Sequence, residues 1–142
     1  MNEIIVGVDG SETSKRAARR AAEWATKCGE GLHLVTTVRK AGATVRGSGE
    51  SWHVDSMSDG EQLLASMRIE LSADPITTSV QTGDPASVLC DEAKRLGASV
   101  IVVGNRRVQT AGRVLGSVAA HVARQAVCDV LIVNTTAPGD DA

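Results

Sequence analysis

Two short apolar runs, Val100-Ile101-Val102-Val103 and Val130-Leu131-Ile132-Val133, bracket a basic loop and a stretch with helical patterning. The first run stops at Gly104, and the loop GNRRVQTAGRVLGS carries Arg106, Arg107 and Arg113 before Gly116-Ser117 opens VAAHVA. Strand, loop, helix and strand in that order return to one sheet only by a crossover, so the two strands lie parallel. Parallel strands are covered on both faces, which makes the fold class α/β. Such a sheet takes its ligand at the carboxyl ends of its strands. The first N–H groups of the following helix have no intrahelical partner and attract anions. The loop therefore reads either as a phosphate site or as a βα turn with structural glycines and solvated arginines.

The same alternation runs through the rest of the chain. Ile4-Ile5-Val6-Gly7-Val8 predicts a first strand, ended by Asp9-Gly10 with Ser11 as a helix N-cap. Ala17, Ala21, Trp24, Ala25 and Cys28 recur at helical spacing and predict a thin, alanine-lined buried face. Leu32 to Val38 predicts a second strand, in which His33 reads as a satisfied sheet residue rather than a ligand. From Arg39 to Ser56 no period holds, and a surface loop is expected. Leu63, Leu64, Met67 and Leu71 predict a helix, and Ile76–Thr82 a β-branched third strand. Gly83-Asp84-Pro85 then leads into a helix buried through Val88, Leu89, Ala93 and Leu96. The expected product is an open five-stranded parallel sheet with helices on both faces, ordered 2-1-3-4-5 or 3-2-1-4-5. Residues 1–136 form a single domain and residues 137–142 a frayed tail.

Composition narrows the function. Two Trp with no Phe or Tyr leave the core to Ala, Val, Leu and Ile and exclude base-stacking on single-stranded nucleic acid. A formal net charge of -2 argues against general binding to nucleic acid or an anionic membrane. Cys28, Cys90 and Cys128 form no C-x-x-C pair, fall in or beside apolar patterns, and are expected as buried thiols. With no signal-peptide pattern and no apolar run near the roughly 18 residues of a membrane span, a cytoplasmic location is expected. No G-x-G-x-x-G follows the first strand, no Gly-Lys pair offers a P-loop, and G-x-S-x-G is absent. The strand ends Gln81-Thr82 and Asn134-Thr135 lack the acids and lysine of a receiver domain.

The motifs that remain, IIVGVDGSETS, Gly83-x-Pro85 and VIVVGNRRVQTAGRVLGSVAAHVARQAVCDVLIV, make the chain resemble the universal stress protein family along nearly its whole length. The resemblance implies the 3-2-1-4-5, flavodoxin-like sheet of the adenine nucleotide alpha hydrolase-like folds. It also implies a homodimer through the last strand (Val130, Leu131, Ile132, Val133) and, in one subfamily, non-catalytic ATP binding through G-x2-G-x9-G-[ST]. Gly104 and Gly116-Ser117 match the outer elements of that pattern; Arg107 replaces its middle glycine, and the loop is one residue short. Carried over by position, Asp9 would meet ribose or adenine, and the Thr37 backbone the adenine edge. Gly104, Asn105 and Arg107 would lie along the phosphates. Gly116, Ser117 and Val118 would offer N–H groups and a hydroxyl at the helix start. Asp9 reads equally as a turn-forming acid. The expected function is a dimeric stress-response regulator that binds ATP, AMP or cyclic AMP, with or without Mg²⁺. Two alternatives stand beside it: a scaffold whose pocket Arg107 has closed, or a slow ATP hydrolase. Binding without catalysis is the expected case, with no catalytic or metal-binding residues. The loop's charges are all arginines, and His121, the nearest base, is expected on a packed or solvent face.

Overall fold

The computed structural model describes residues 2–39, 53–105 and 115–135. Its elements are β1 (Glu3–Gly7), α1 (Glu12–Cys28), β2 (Gly31–Val38), β3 (His53–Val54), α2 (Met57–Glu70), β4 (Ile76–Thr82), α3 (Pro85–Leu96), β5 (Val100–Asn105), α4 (Ser117–Gln125) and β6 (Asp129–Asn134). All strand pairings are parallel, and the principal strands lie in the order β4-β2-β1-β5-β6. With the two-residue β3 left aside, that is the 3-2-1-4-5 order, the second of the two orders predicted.

The sheet is sandwiched between two apolar layers. On one face Ile4, Val6, Leu32, Leu34 and Val102 pack on α1 and α2; on the other Ile5, Val35, Ile101 and Val103 pack on α3 and α4. The alanines of α1 (Ala17, Ala18, Ala21, Ala25) are fully buried and bring the helix axis close to the sheet. Trp24 does not share that face. It is 39% exposed, because it sits at the margin of a stripe too shallow to take an indole. Cys28 is also exposed, at the last helical position beside the Gly29 cap, whereas Cys90 is buried and Cys128 half-buried. All three thiols are free; the expectation of burial holds for Cys90, holds in part for Cys128 and fails for Cys28.

The Arg39–Ser56 stretch holds more order than its sequence predicts. Residues 40–52 lie outside the described residues, but His53 and Val54 form β3 on β2, and Ser56 caps α2 by accepting the Asp59 N–H at 3.1 Å. Gly60, in the first turn of α2, has a packing reason. A Cβ there would stand 2.9 Å from Val80 Cγ1, 3.0 Å from Thr36 Cγ2 and 3.2 Å from Val54 Cγ2. The missing side chain lets α2 press onto β2, β3 and β4.

Candidate nucleotide site

The carboxyl ends of β1, β2 and β5 lie side by side, because β1 pairs with β2 on one edge and with β5 on the other. They carry Asp9, Thr37, Gly104 and Asn105 of the candidate residues. Asp9 follows β1, and its Oδ1 accepts the Ser11 N–H at 2.9 Å, while its own N–H donates to Ser14 Oγ at 3.1 Å. The turn-forming role is thus present, and it shapes the entry to α1. Thr37 is buried near the end of β2. Between these strands and α3, a cavity of about 10 Å³ is lined by Gly7, Val8, Val35, Thr37, Pro85 and Leu89. That is room for one water.

On the other side of β1, Gly104 and Asn105 end β5. Gly104 is buried, and a Cβ on it would stand 2.9 Å from Thr135 Cγ2 and 3.2 Å from both Thr13 Cγ2 and the Thr13 carbonyl oxygen. Its smallness therefore serves the approach of α1 to β5, whatever the ligand. The Asn105 side chain spans the loop, accepting the Gly116 N–H on Oδ1 at 2.8 Å and tying the end of β5 to the start of α4. Gly116 is the N-cap of α4, Ser117 is exposed, and Val118 turns into the core. Arg107, with Arg106 and Arg113, lies outside the described residues.

The four helix starts differ. Ser11, Ser56 and Asp84 each accept an N–H of their own first turn, whereas Gly116 provides no side-chain cap for α4. The uncapped start faces the crevice, and it is the kind of place where an anion substitutes for the missing cap. His121 does not turn to that start; its Nδ1 lies 3.6 Å from Asp84 Oδ2, on the cap of α3. Among the described residues no group of three His, Cys, Asp or Glu side chains is placed to hold a metal ion.

A second polar cluster lies in the layer between the sheet and α3. His33 is indeed a satisfied sheet residue: its Nδ1 is 2.7 Å from Thr77 Oγ1 and its Nε2 2.9 Å from Glu92 Oε2. Arg95 closes the cluster with Nε and Nη2 donating to the two Glu92 oxygens at 2.8 and 2.9 Å. The Arg95 hydrogen bonds, with that from His33, outweigh burial and bring the Glu92 pKa down to about 2. Glu92 is therefore a carboxylate that only accepts, which puts the hydrogen on His33 Nε2. Sequence reading missed Glu92, although a charged residue inside the Val88-Leu89-Ala93-Leu96 stripe, with a lone histidine on a buried strand, was a usable signal.

Comparison with known proteins agrees with this architecture. The sequence model of the universal stress protein family matches residues 1–134. A universal stress protein of Mycobacterium tuberculosis is 34% identical over 141 residues, spanning 94% of this chain and 96% of the relative. A crystal structure of a universal stress protein in complex with cAMP aligns with a TM-score of 0.74 at 31% identity, over 94% of this chain and 97% of that one. An Archaeoglobus fulgidus universal stress protein in complex with dAMP shares the fold, with a TM-score of 0.69 at 23% identity over 93% and 97% of the two chains. On its motifs, its strand order and these matches, the chain belongs to the universal stress protein family.

Proposed function

We propose that this chain binds an adenine nucleotide at the carboxyl ends of β1, β2 and β5 and holds it without hydrolysing it. The observation that carries this reading is the uncapped start of α4, tied by Asn105 to the strand end where an α/β sheet takes its ligand. The relative crystallised with cAMP, at 31% identity, supports the adenine base and places cAMP beside AMP and ATP as the first ligands to test. In this reading the N–H groups of Ser117 and Val118 and the Ser117 hydroxyl meet phosphate. Asp9 accepts from the sugar or base, and Thr37 offers its backbone to the base edge. Hydrolysis would need a base aimed at the phosphates; His121, the nearest, is turned to Asp84.

Calorimetric titration of nucleotide-stripped protein with cAMP, AMP and ATP, with and without Mg²⁺, tests the reading. Saturable binding of one of them is expected, with no phosphate release from ATP over the titration. Gly116 has φ −62° and ψ 163°, backbone that any residue adopts, so Gly116→Val folds while placing a side chain over the α4 N–H groups. At least about a tenfold loss of affinity is expected for it, close to one charge-assisted contact. Flat titrations with all three nucleotides would mean a site closed by its short, Arg107-bearing loop and a protein that acts as a scaffold. Steady phosphate release would mean a slow hydrolase.

We also infer a homodimer through β6. Among the described residues this strand pairs only with β5 and leaves its other edge open, with Ile132 exposed and Leu131 and Val133 half-buried. The opposite edge, β4, reads ITTSVQT, so the apolar edge is the one that needs cover. Light scattering at micromolar concentration is expected to give twice the chain mass of 14.7 kDa, falling to one chain for Ile132→Lys. A wild-type monomer would refute the inference.

A further inference from the structure

We propose that β3 is a displaceable strand that occupies the base-binding edge of β2, so that β3 pairing and nucleotide binding exclude one another. The inference rests on the nucleotide reading above and concerns regulation of that same site. β1 ends at Gly7, opposite Val35, whereas β2 continues to Val38. On its far edge β2 is covered to the end by β4, with Thr37 opposite Gln81 and Val38 opposite Thr82. His53 and Val54 pair with the same Thr37 and Val38, and so lie on the near edge, in line with β1 and beyond its end. That position is above the Asp9 turn, inside the crevice where the ligand is expected.

The backbone orientation makes the conflict specific. The Val35 carbonyl accepts the Val8 N–H on the β1 edge, and the Val38 carbonyl accepts the Gly83 N–H on the β4 edge. Strand residues alternate in this respect, so Thr37 turns both its N–H and its carbonyl to the β1 edge. In the parallel register of β3, the Val54 N–H donates to that carbonyl. An adenine edge carries one acceptor and one N–H donor side by side, the pattern that matches these two Thr37 groups. With β3 seated, the Thr37 carbonyl is taken, and the adjoining cavity of about 10 Å³ has no room for a purine.

The seat is shallow. β3 has two residues, and its hold on the layer beneath is the contact of Val54 with the space that Gly60 leaves open. Beside that contact Thr36 Oγ1 is buried with no hydrogen-bond partner among the described residues, so lifting β3 gives this hydroxyl access to water. A closed state held by so few contacts lowers the apparent affinity by the fraction of molecules that are open, and weakening the seat restores it.

The test pairs cAMP titration of the wild type and Val54→Pro with hydrogen exchange read at the Val54 amide of the wild type. Proline removes the N–H that Thr37 accepts while keeping an extended backbone. Affinity is expected to rise about threefold to tenfold in Val54→Pro, the effect of loosening the closed state by one backbone hydrogen bond. In the wild type the Val54 amide is expected to be protected without ligand and to exchange faster at saturating cAMP. Binding by Val54→Pro alone would support the proposal in its strongest form. Equal or weaker binding by Val54→Pro, or protection that cAMP leaves unchanged, overturns it while the nucleotide reading stands. Flat titrations of both proteins with cAMP, AMP and ATP overturn the nucleotide reading, and this proposal with it.

Discussion

Glu92→Ala is expected to cost about 3 kcal/mol of unfolding free energy at pH 7, among the largest effects of any polar substitution in this chain. The change leaves the His33 Nε2–H buried without an acceptor, and that unpaired donor, more than the lost attraction, sets the magnitude. Arg95 contributes less, because its guanidinium is largely exposed and can turn to water. Linkage sets a ceiling of the same order, since the largest part of the Glu92 shift comes from the Arg95 hydrogen bonds, which water screens. Lowering the Glu92 pKa from 4.5 to about 2 makes the folded state the stronger acid, which corresponds to about 3 kcal/mol. The sign follows from that direction: the stabilisation is complete above pH 4.5 and is lost as pH falls from there towards 2. Urea unfolding across that window should show wild-type stability falling with acid, and Glu92→Gln should flatten the fall by one proton's worth. A Glu92→Ala variant within 1 kcal/mol of wild type at pH 7 would show the cluster to be energetically incidental.

Gly104→Val should destabilise by about 3 kcal/mol, and Gly104→Ala by about 1–2 kcal/mol, with no ligand present. Thr135 Cγ2 can yield a little, but the Thr13 carbonyl oxygen at 3.2 Å belongs to the α1 backbone and cannot. Thr135 is itself held, since Arg16 Nη1 donates to its carbonyl oxygen at 2.7 Å. Thr135→Ser removes the nearest methyl, and combined with Gly104→Ala it should recover part of the loss. A double-mutant cycle on denaturation midpoints reads this as a coupling above about 0.5 kcal/mol. Strict additivity would place the strain elsewhere.

The inner strands were legible because they are buried on both faces and read as short unbroken apolar runs, and the edge strand β4 because its residues are β-branched. Val100–Val103 lies wholly within β5, and Ile76–Thr82 coincides with β4. The strand ends and helix starts that frame the candidate site were legible for a different reason: Asp9, Gly104 and Gly116 sit where the chain must turn. Trp24 and Cys28 misled because periodicity gives a direction around the helix but not the depth of the layer it faces. β3 was not legible at all. Two residues carry no period, and their pairing depends on how far β2 overruns β1, which only the register of three separate segments decides. Glu92 failed in the opposite way, as a charge whose partners are 59 residues upstream in His33 and three residues on in Arg95.

The unlike borders of the sheet bear on how far association can proceed. Had both borders been apolar, successive copies could join head to tail, each adding a fresh border for the next, and the product would be an open ribbon. Here one border is threonine- and serine-rich and the other is Val-Leu-Ile-Val. A two-fold union of the apolar borders uses both of them up and presents only hydroxyl-bearing strands outward. In the dimer proposed above, growth would stop at the first step, with the sequence of one seven-residue strand as the terminator.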